Sequence, residues 1–350
     1  MHRSRTLAGW ALVLAILGFV TVSAAAEWNL GPQQLVRAGG AIIEVAGVSV
    51  PSYFDWNNDG LKDLIVGEGG LETPFTGVRV YLNDGTPEGP SFSSFFYAQA
   101  DGADLAYDGT GCPACYPMGL FPRVVNWDDD GRKDLLVGQF DGTIKIYRNT
   151  GNDDAPTFDA GAFLEVGPAG GKTVINLESV ATPTFVDWDN DGLKDLVVGD
   201  WTGRIHLLIN EGTATAPDFV TDTLIQDGGI NLIVPTTRSS PVVVDLNGDG
   251  RKDLLTGDRE GQLLLYANIG TDAAPSFSGY TLVESEGVPI DLEFRANAKP
   301  FVCDWTGDGV PDVLVGTVDG YVYLYEGVPE PATTAILALG GLALLGRKRR

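Results

Sequence analysis

The sequence predicts an all-β protein, a β-propeller of five four-stranded blades, and three observations lead to this prediction. A nine-residue pattern, acid-x-polar-x-Asp-Gly-x-x-Asp, occurs five times at intervals of roughly 60 residues. A short apolar run ending in Gly follows each copy. The chain also contains 46 Gly, which is typical of many short strands joined by tight turns. Repeated units of four strands arranged around a ring form a β-propeller.

Each unit can be divided into four strands. A Pro stands four residues before every pattern, so the first strand ends at the pattern and the apolar run after it is the second. The third strand alternates, as in residues 321–325. In four units a second signature, Asn-x-Gly-x(4)-Pro-x-Phe, precedes the fourth strand. The nine-residue patterns begin at Asp55, Asn126, Asp187, Asp245 and Asp304.

The two ends of the repeated region predict how the ring closes. The fifth unit stops at Gly327 after its third strand, and residues 35–43 resemble a fourth strand without a unit of its own. We therefore expect the N-terminal strand to complete the last blade, which would remove open sheet edges. The alternative is an open array, or a larger ring shared with a partner.

The composition excludes several classes of function. With 47 Asp and Glu against 23 Lys and Arg, the chain has a formal net charge of −24, which argues against binding nucleic acid or anionic lipid. Its 44% hydrophobic residues are enough for a packed core, so it is not a disordered acidic tail. Of its two His, His2 lies in the N-terminal segment, residues 1–26, that we expect to be removed, so His206 alone would remain. One His is too few for most His-based catalytic or zinc sites.

Both ends have the features of targeting segments. Residues 1–26 resemble a secretory signal peptide, with Arg3 and Arg5 before an apolar stretch and small residues before Glu27. Residues 27–327 would then be the propeller. Residues 328–350 combine Pro-Glu-Pro, a short apolar run and four terminal cations, which predicts transient membrane association. The alternatives are an uncleaved N-terminal anchor and a C-terminal core helix.

The five acidic loops predict about five calcium sites. In the third unit, four Asp side chains and the Leu193 carbonyl can converge, and Gly192 permits the turn. Oxygen ligands in a flexible loop suit Ca²⁺ better than Mg²⁺. Asn126 and Thr306 are weaker ligands, so units two and five should bind less tightly. The alternative is a set of Asp-Gly turns without metal. The predicted ligands are Asp55, Asn57, Asp59, Leu61, Asp63, Asn126, Asp128, Asp130, Arg132, Asp134, Asp187, Asp189, Asp191, Leu193, Asp195, Asp245, Asn247, Asp249, Arg251, Asp253, Asp304, Thr306, Asp308, Val310 and Asp312, where the seventh position contributes its carbonyl.

These loops resemble the FG-GAP and VCBS repeats of the integrin α-subunit propeller and of many secreted bacterial proteins. The resemblance implies a Ca²⁺-binding loop between the first and second strand of each blade, although five units differ from the seven blades usual in integrins. The C-terminal segment resembles the PEP-CTERM sorting signal of Gram-negative bacteria. That resemblance implies export, processing by an exosortase-type enzyme, and delivery to the cell surface or extracellular matrix.

The variable turns between the second and third strands are the better place for ligand recognition. Candidate ligand-binding residues are Phe140, Trp201, Arg204 and Arg259. Trp201 with Arg204 would stack on a sugar ring and bond its hydroxyls, or else Trp201 covers a neighbouring blade. A second Trp set at the second position of four acidic patterns favours packing between blades instead.

The three cysteines divide into a pair and a single residue. Cys112 and Cys115 are predicted to form a small disulfide loop in an exported protein, with a redox site as the alternative. Cys303 ends a first strand and is predicted to be a buried free thiol.

The function predicted from the sequence is non-enzymatic. An exported, calcium-stabilised propeller would bind a polysaccharide or a surface protein in adhesion or matrix organisation. The first alternative is a polysaccharide lyase or glycosidase, for which Asp200 and Asp258 are the best unassigned acids. The second alternative is a ligand-free structural spacer.

Overall fold

The computed structural model describes residues 28–70, 73–107, 119–177, 179–292 and 296–329, without the side chains of residues 73–75. All regular structure in these ranges is β-strand, and they contain no helix able to cross a membrane. The predicted signal peptide, the tail from residue 330 onwards, and Cys112 and Cys115 lie outside the described residues.

Twenty strands form five antiparallel four-stranded blades, as predicted. Blade 1 consists of Val48–Phe54, Asp63–Gly70, Thr73–Tyr81 and Phe96–Tyr97. Blade 2 consists of Phe121–Val125, Asp134–Gly138, Ile144–Tyr147 and Ala162–Phe163. Blade 3 consists of Thr182–Val186, Asp195–Gly199, Ile205–Leu208 and Thr223–Leu224. Blade 4 consists of Ser240–Val244, Asp253–Gly257, Leu263–Tyr266 and Thr281–Leu282. Blade 5 consists of Lys299–Cys303, Asp312–Gly316, Val322–Tyr325 and the N-terminal Gln34–Leu35.

The ring closes on itself, so the prediction of a closed five-bladed propeller is confirmed. The first strands of successive blades contact one another, and the first strand of blade 5 contacts that of blade 1. Gln34–Leu35 pairs antiparallel with the third strand of blade 5, with Gln34 opposite Leu324. The first strands therefore surround a central channel, and chain segments from opposite ends of the propeller share one blade.

Each fourth strand continues into a small hairpin that the sequence analysis did not predict. The residues expected to extend the N-terminal strand as far as residue 43 form the first of these hairpins instead. Four of the five turn through two residues with positive φ, such as Asp101 at 49° and Gly102 at 78°, the geometry of a tight hairpin turn. The hairpins pair Arg37–Ala38 with Ala41–Ile42, Gln99–Ala100 with Ala103–Asp104, Glu165–Val166 with Thr173–Val174, Gln226–Asp227 with Ile230–Asn231, and Glu284–Ser285 with Val288–Pro289.

A Trp–Phe contact joins successive blades at four of the five interfaces, which accounts for the Trp set in the acidic patterns. The Trp at the second position packs against the Pro-x-Phe ring of the next blade. At the interface of blades 4 and 5, Leu246 and the N-terminal Leu30 occupy these two positions in one buried apolar cluster. The ring pairs are Trp56–Phe158 at 5.5 Å, Trp127–Phe219 at 6.2 Å, Trp188–Phe277 at 6.3 Å and Trp305–Phe92 at 5.8 Å between centroids.

The Gly that ends every apolar run is required by close packing between blades. A Cβ at Gly67 would lie 2.0 Å from the Leu120 carbonyl oxygen at the start of blade 2, and one at Gly257 would lie 2.0 Å from that of Ala298. The same clash occurs around the ring, between blade 5 and blade 1 as well. The second strand of each blade therefore approaches the backbone of the next blade too closely for any side chain.

Candidate functional site: the acidic loops

The acidic loops join the first and second strands, and their backbone is specified by two positions of the pattern. The fourth residue has a positive φ in all five loops, 61° at Asn190 and 70° at Gly248 for example, and so does the sixth-position Gly. Asn, Asp and Gly adopt this left-handed conformation at the lowest cost. The fourth position is Asn, Asp or Gly in all five loops, although the nine-residue pattern had allowed any residue there.

The ninth-position Asp is buried and accepts two backbone hydrogen bonds in every blade. In blade 3, Asp195 accepts from the Trp188 N–H and the Asn210 N–H, both at 2.8 Å. Trp188 is the second residue of the loop, and Asn210 lies two residues after the third strand of the blade. The equivalent residues Asp63, Asp134, Asp253 and Asp312 make the same pair of contacts. This residue therefore fixes the loop to the rest of its blade.

Burial also raises the pKa of the ninth-position Asp. Desolvation raises the pKa of Asp63 and of Asp195 to about 6, against the opposing effect of their backbone hydrogen bonds. The pKa values of Asp134, Asp253 and Asp312 are raised for the same reason. A cation bound nearby would favour the ionised form.

The fifth- and seventh-position residues form a turn that repeats in all loops. The seventh residue donates its N–H to the fifth-position Asp, at 2.8 Å between Leu193 and Asp191. The equivalent bonds join Leu61 to Asp59, Arg132 to Asp130, Arg251 to Asp249 and Val310 to Asp308, at 2.8–3.0 Å. In blades 1, 3, 4 and 5 the first-position Asp also accepts from the sixth-position Gly.

Four loops retain a carboxylate oxygen suited to a metal ion. One Oδ1 atom in each is buried and accepts no hydrogen bond among the described atoms: that of Asp55, Asp128, Asp187 and Asp304. In blade 3, oxygens of Asp187, Asp189 and Asp195 lie within 4.8 Å of one another. A buried anionic oxygen without a donor is unfavourable unless a cation neutralises it. The chemistry of these loops therefore fits Ca²⁺, and blade 3 fits it best.

Cationic side chains make the five loops unequal. In blade 2 the Arg132 guanidinium bonds Asp130, with Nε at 2.6 Å, and in blade 4 Arg251 pairs with Asp249. In blade 4 both Asp245 oxygens also accept backbone N–H groups. In blade 1, Lys133 of the next blade places its Nζ 3.6 Å from Asp55. Part of the loop charge is thus neutralised within the protein.

The opposite end of the channel brings together some of the predicted ligand-binding residues. Phe140 and Trp201 pack edge to face at 6.2 Å in one apolar cluster with Val318. The Arg238 guanidinium lies 3.8 Å from the centre of the Trp201 ring. Arg204 is exposed at the end of the turn that contains Trp201, between the second and third strands of blade 3, and Arg259 is partly buried. Sequence reasoning missed Arg238, since nothing in the repeat pattern distinguishes it.

Two further groups expected from the sequence have definite surroundings. Cys303 ends a first strand as a free thiol, as predicted, but it is partly exposed rather than buried. His206 on the third strand of blade 3 lies between two carboxylates, with Nδ1 2.9 Å from Asp222 and Nε2 3.5 Å from Asp200. Burial alone would lower its pKa, but the two carboxylates raise it to about 9.

Family comparisons agree with this geometry. A family model of the FG-GAP-like repeat matches residues 126–198 and again 187–256, so the matches run from the acidic loop of blade 2 to the second strand of blade 4. This part of the chain carries FG-GAP-like repeats. A second model, the PEP-CTERM protein-sorting motif, matches residues 327–350. This motif indicates export, exosortase processing, and surface or extracellular association in bacteria.

The solved structures that resemble this propeller share little sequence with it. The Photorhabdus luminescens Tc holotoxin pore is 16% identical, covering 79% of this chain and 11% of that one, with a TM-score of 0.39. A lectin from Agrocybe aegerita that recognises non-reducing terminal N-acetylglucosamine is 20% identical, covering 77% and 61%, with a TM-score of 0.39. A GH43_1 enzyme from Xanthomonas citri is 11% identical, covering 82% and 89%, with a TM-score of 0.47. This chain thus spans less than two thirds of the toxin and lectin chains, and no curated protein matches its sequence.

Proposed function

We propose that this protein is a calcium-stabilised propeller that acts without catalysis at the bacterial surface or in the extracellular matrix, where it binds a polysaccharide or another protein. The observation that carries the proposal is the buried carboxylate oxygen without a hydrogen-bond donor that recurs in four acidic loops, three of them without a cationic side chain at that oxygen. Ca²⁺ at these loops would hold one face of the ring rigid. The variable turns at the other end would then be presented for recognition.

The surroundings of the unassigned acids support binding rather than catalysis. Asp200 is 2% exposed and accepts from the Arg204 N–H at 2.8 Å and from the Thr202 hydroxyl at 2.9 Å. Asp258 is 1% exposed and accepts from the Gln262 N–H at 2.8 Å and the Thr236 hydroxyl at 2.6 Å. Both carboxylates hold the turn after a second strand. A glycosidase needs two carboxylates accessible to a sugar on either side of the bond that breaks.

The proposed recognition surface is the end of the channel near Trp201. Arg238 covers one face of the indole, and Phe140 lies against it edge to face, so Trp201 is held in a fixed orientation. Arg204, three residues after Trp201 at the end of the same turn, is exposed and supplies hydrogen-bond donors at this end of the channel. A rigid aromatic group with neighbouring donors is suited to binding a sugar ring.

Glycan-array binding by the purified chain, in millimolar calcium and again in EDTA, tests the proposal. We expect binding in calcium that weakens in EDTA and in Arg204→Ala, an exposed substitution that leaves the core unchanged. Ile269→Ala, at a residue 63% exposed in the turn after the third strand of blade 4, at the acidic-loop end of the ring, is the matched control and should bind normally. Glycan release during the assay would favour the enzyme alternative. No binding by a folded protein would favour a protein partner or a spacer.

A separate thermal measurement tests the calcium part of the proposal. A site filled to about 100 times its dissociation constant stabilises the folded state by about 2.7 kcal/mol. We therefore expect EDTA to lower the Tm strongly and excess calcium to restore it. Identical melting curves in calcium and in EDTA would contradict calcium binding, whatever the glycan array shows.

A further inference from the structure

The central channel is lined by two layers of first-strand side chains. The residues directly after the first-strand Pro form one layer, and those directly before it form the other, because side chains two apart point to the same face of a strand. Arg123 of blade 2 lies 5.4 Å from the ring of Phe301 in blade 5, and these blades are not neighbours, so this face is the channel. The layers are Ser52, Arg123, Thr184, Val242 and Phe301, and Val50, Phe121, Thr182, Ser240 and Lys299.

Two basic side chains are buried in this channel without an acidic partner, and desolvation lowers the pKa of Arg123 to about 10 and that of Lys299 well below its ordinary value. Arg123 is 8% exposed and Lys299 is 3% exposed. Arg123 donates to the carbonyls of Pro122 and Pro51, at 3.0 and 3.4 Å, and Lys299 donates to that of Asn297 at 2.8 Å. Within the described part of the chain, neither forms an ion pair with a carboxylate.

The missing carboxylate is notable because acids are abundant in this protein. The chain has 47 Asp and Glu against 23 Lys and Arg, yet the two first-strand layers contain only cations, hydroxyls and apolar groups. The carbonyl oxygens and aromatic rings near Arg123 and Lys299 carry only partial charges, so they do not replace a carboxylate. A buried charge normally has a full counter-charge, since its desolvation is expensive. The two layers therefore hold basic groups without a carboxylate, and a bound anion would favour the charged form of Lys299.

Two buried hydroxyls provide an independent observation at the same place. The Oγ atoms of Ser52 and Ser240 have no hydrogen-bond partner among the described atoms, although these residues are 1% and 2% exposed. Ser52 stands beside Arg123, one blade away in the same layer, and Ser240 stands in the same way beside Lys299. Each buried cation thus has a neighbouring hydroxyl donor with an unused proton.

We propose that the central channel binds one small monovalent anion, with Arg123 and Lys299 as its counter-charges and the hydroxyls of Ser52 and Ser240 as additional donors. Hydrogen-bond donors line the site. An anion can accept hydrogen bonds from these donors, whereas a metal ion cannot. The Phe301 ring lies 5.4 Å from the Arg123 guanidinium and the Phe121 ring lies 6.0 Å from Lys299 Nζ, so side chains already fill much of the axis and the proposed ligand is a small halide such as chloride. The bound anion would hold blades 1, 2, 4 and 5 together at the axis.

Thermal unfolding of the purified protein in chloride and in gluconate, at equal ionic strength and equal calcium, tests this proposal. Gluconate is too bulky for the channel, so we expect the Tm to rise as chloride replaces it. Arg123→Met and Lys299→Met keep an apolar stem but remove the charge, and both should lose the response. Arg37→Met, at an exposed cation on the first hairpin, should retain it. Equal Tm values in the two salts, or an unchanged response in Arg123→Met, would overturn the proposal.

A crystallographic measurement decides the question even if both channel variants fail to fold. Wild-type crystals soaked in bromide should show an anomalous peak within hydrogen-bond reach of Arg123 and Lys299. Water alone at that position, with no anomalous signal, would show that the hydroxyls are merely hydrated and would refute the anion site.

Discussion

The ninth-position Asp shows how one residue type supports both the fold and the predicted metal site. Asp195 is fully buried and accepts two backbone N–H groups that belong to separate parts of its blade. Asp189, two residues into the same loop from Asp187, is partly exposed and accepts only the Asp191 N–H, at 3.2 Å. The two carboxylates belong to one acidic cluster, but Asp189 bonds the backbone of its own loop, whereas Asp195 joins the loop to the segment after the third strand.

Substitution of these two residues by Asn should therefore separate stability from calcium binding. In Asp195→Asn the amide group faces two N–H donors, so we expect a loss of about 2–3 kcal/mol in unfolding free energy even in EDTA. Asp189→Asn should unfold like the wild type in EDTA but gain less from calcium. Urea denaturation with and without calcium measures both effects. Equal stability of the two variants in EDTA would contradict the structural role of Asp195.

His206 predicts a pH dependence of stability that is independent of the metal loops. Its pKa is about 9 in the folded protein, against an ordinary 6.5, because of Asp200 and Asp222. A His whose pKa rises on folding stabilises the folded state fully below pH 6.5, and this stabilisation is lost as the pH rises through 9. The shift corresponds to about 3 kcal/mol at most.

Unfolding free energies measured between pH 6.5 and pH 9 in saturating calcium test this expectation. The wild type should lose stability across that interval, while His206→Gln should start lower and change little. Asp222→Asn, which removes the partner at 2.9 Å, should show an intermediate slope. A wild-type slope that persists unchanged in His206→Gln would assign the pH dependence to another group.

The loops, considered as elements, differ in how much of their charge the protein itself neutralises. Blades 1 and 3 have Leu at the seventh position, whereas blade 2 has Arg132 and blade 4 has Arg251, each bonded to the fifth-position Asp of its own loop. A guanidinium on a ligand carboxylate competes with an added cation. The five sequence-predicted sites are therefore not expected to be equivalent.

Arg251→Leu should accordingly increase calcium binding, since it gives blade 4 the seventh residue of blade 3. Isothermal titration of the wild type should show blade 3 among the tightest sites and blade 4 among the weakest. The variant should raise the measured stoichiometry or affinity, and Arg37→Leu, on an exposed hairpin, should leave both unchanged. A decrease in calcium binding in Arg251→Leu would show that the arginine does not compete with the metal.

The elements that the sequence predicts correctly are those whose side chains, or whose lack of one, are required by a particular packing contact. The first three strands of each blade have alternating or apolar patterns, the Gly after each apolar run has a steric cause, and the Trp set has a ring partner, so each left a repeated signal. The added hairpins have two residues per strand and largely exposed side chains, and no apolar pattern distinguishes them. Their remaining signal is local: Asp101-Gly102, Glu286-Gly287 and paired Gly are typical of two-residue hairpin turns.

The channel and the His206 cluster could not be predicted for a different reason. Arg123, Lys299 and Asp222 occupy positions that vary among the repeats, and each acquires its surroundings only when distant blades meet at the axis or strands pair within a blade. A repeat pattern identifies what the units share. The residues in which the units differ can be interpreted only after the ring is assembled.

At the scale of the whole molecule, the ring is closed by non-covalent contacts alone, and these lie within blade 5, between its third strand and the N-terminal strand. Elsewhere the chain passes from each blade directly into the next, but blade 5 obtains its fourth strand from the N-terminal segment. Leu30, 2% exposed, bridges to Gly327 in blade 5 and to Ser285 in blade 4. In the other blades the residue in this position is a Phe that faces a Trp.

Loss of this anchor should open the ring and change its oligomeric state. Leu30→Ala should cost about 2–5 kcal/mol and release the N-terminal strand, which exposes the edge of Val322–Tyr325 to pairing with another copy. Phe158→Ala removes the equivalent residue in blade 2, whose four strands follow one another in the chain, so it should destabilise the protein but leave it monomeric. Light scattering after size-exclusion chromatography measures the difference. Both variants remove a buried anchor at equivalent positions. Self-association confined to Leu30→Ala would therefore show that pairing of the N-terminal strand, rather than core packing, keeps the propeller a single ring. A monomeric Leu30→Ala variant would show that the remaining contacts are sufficient.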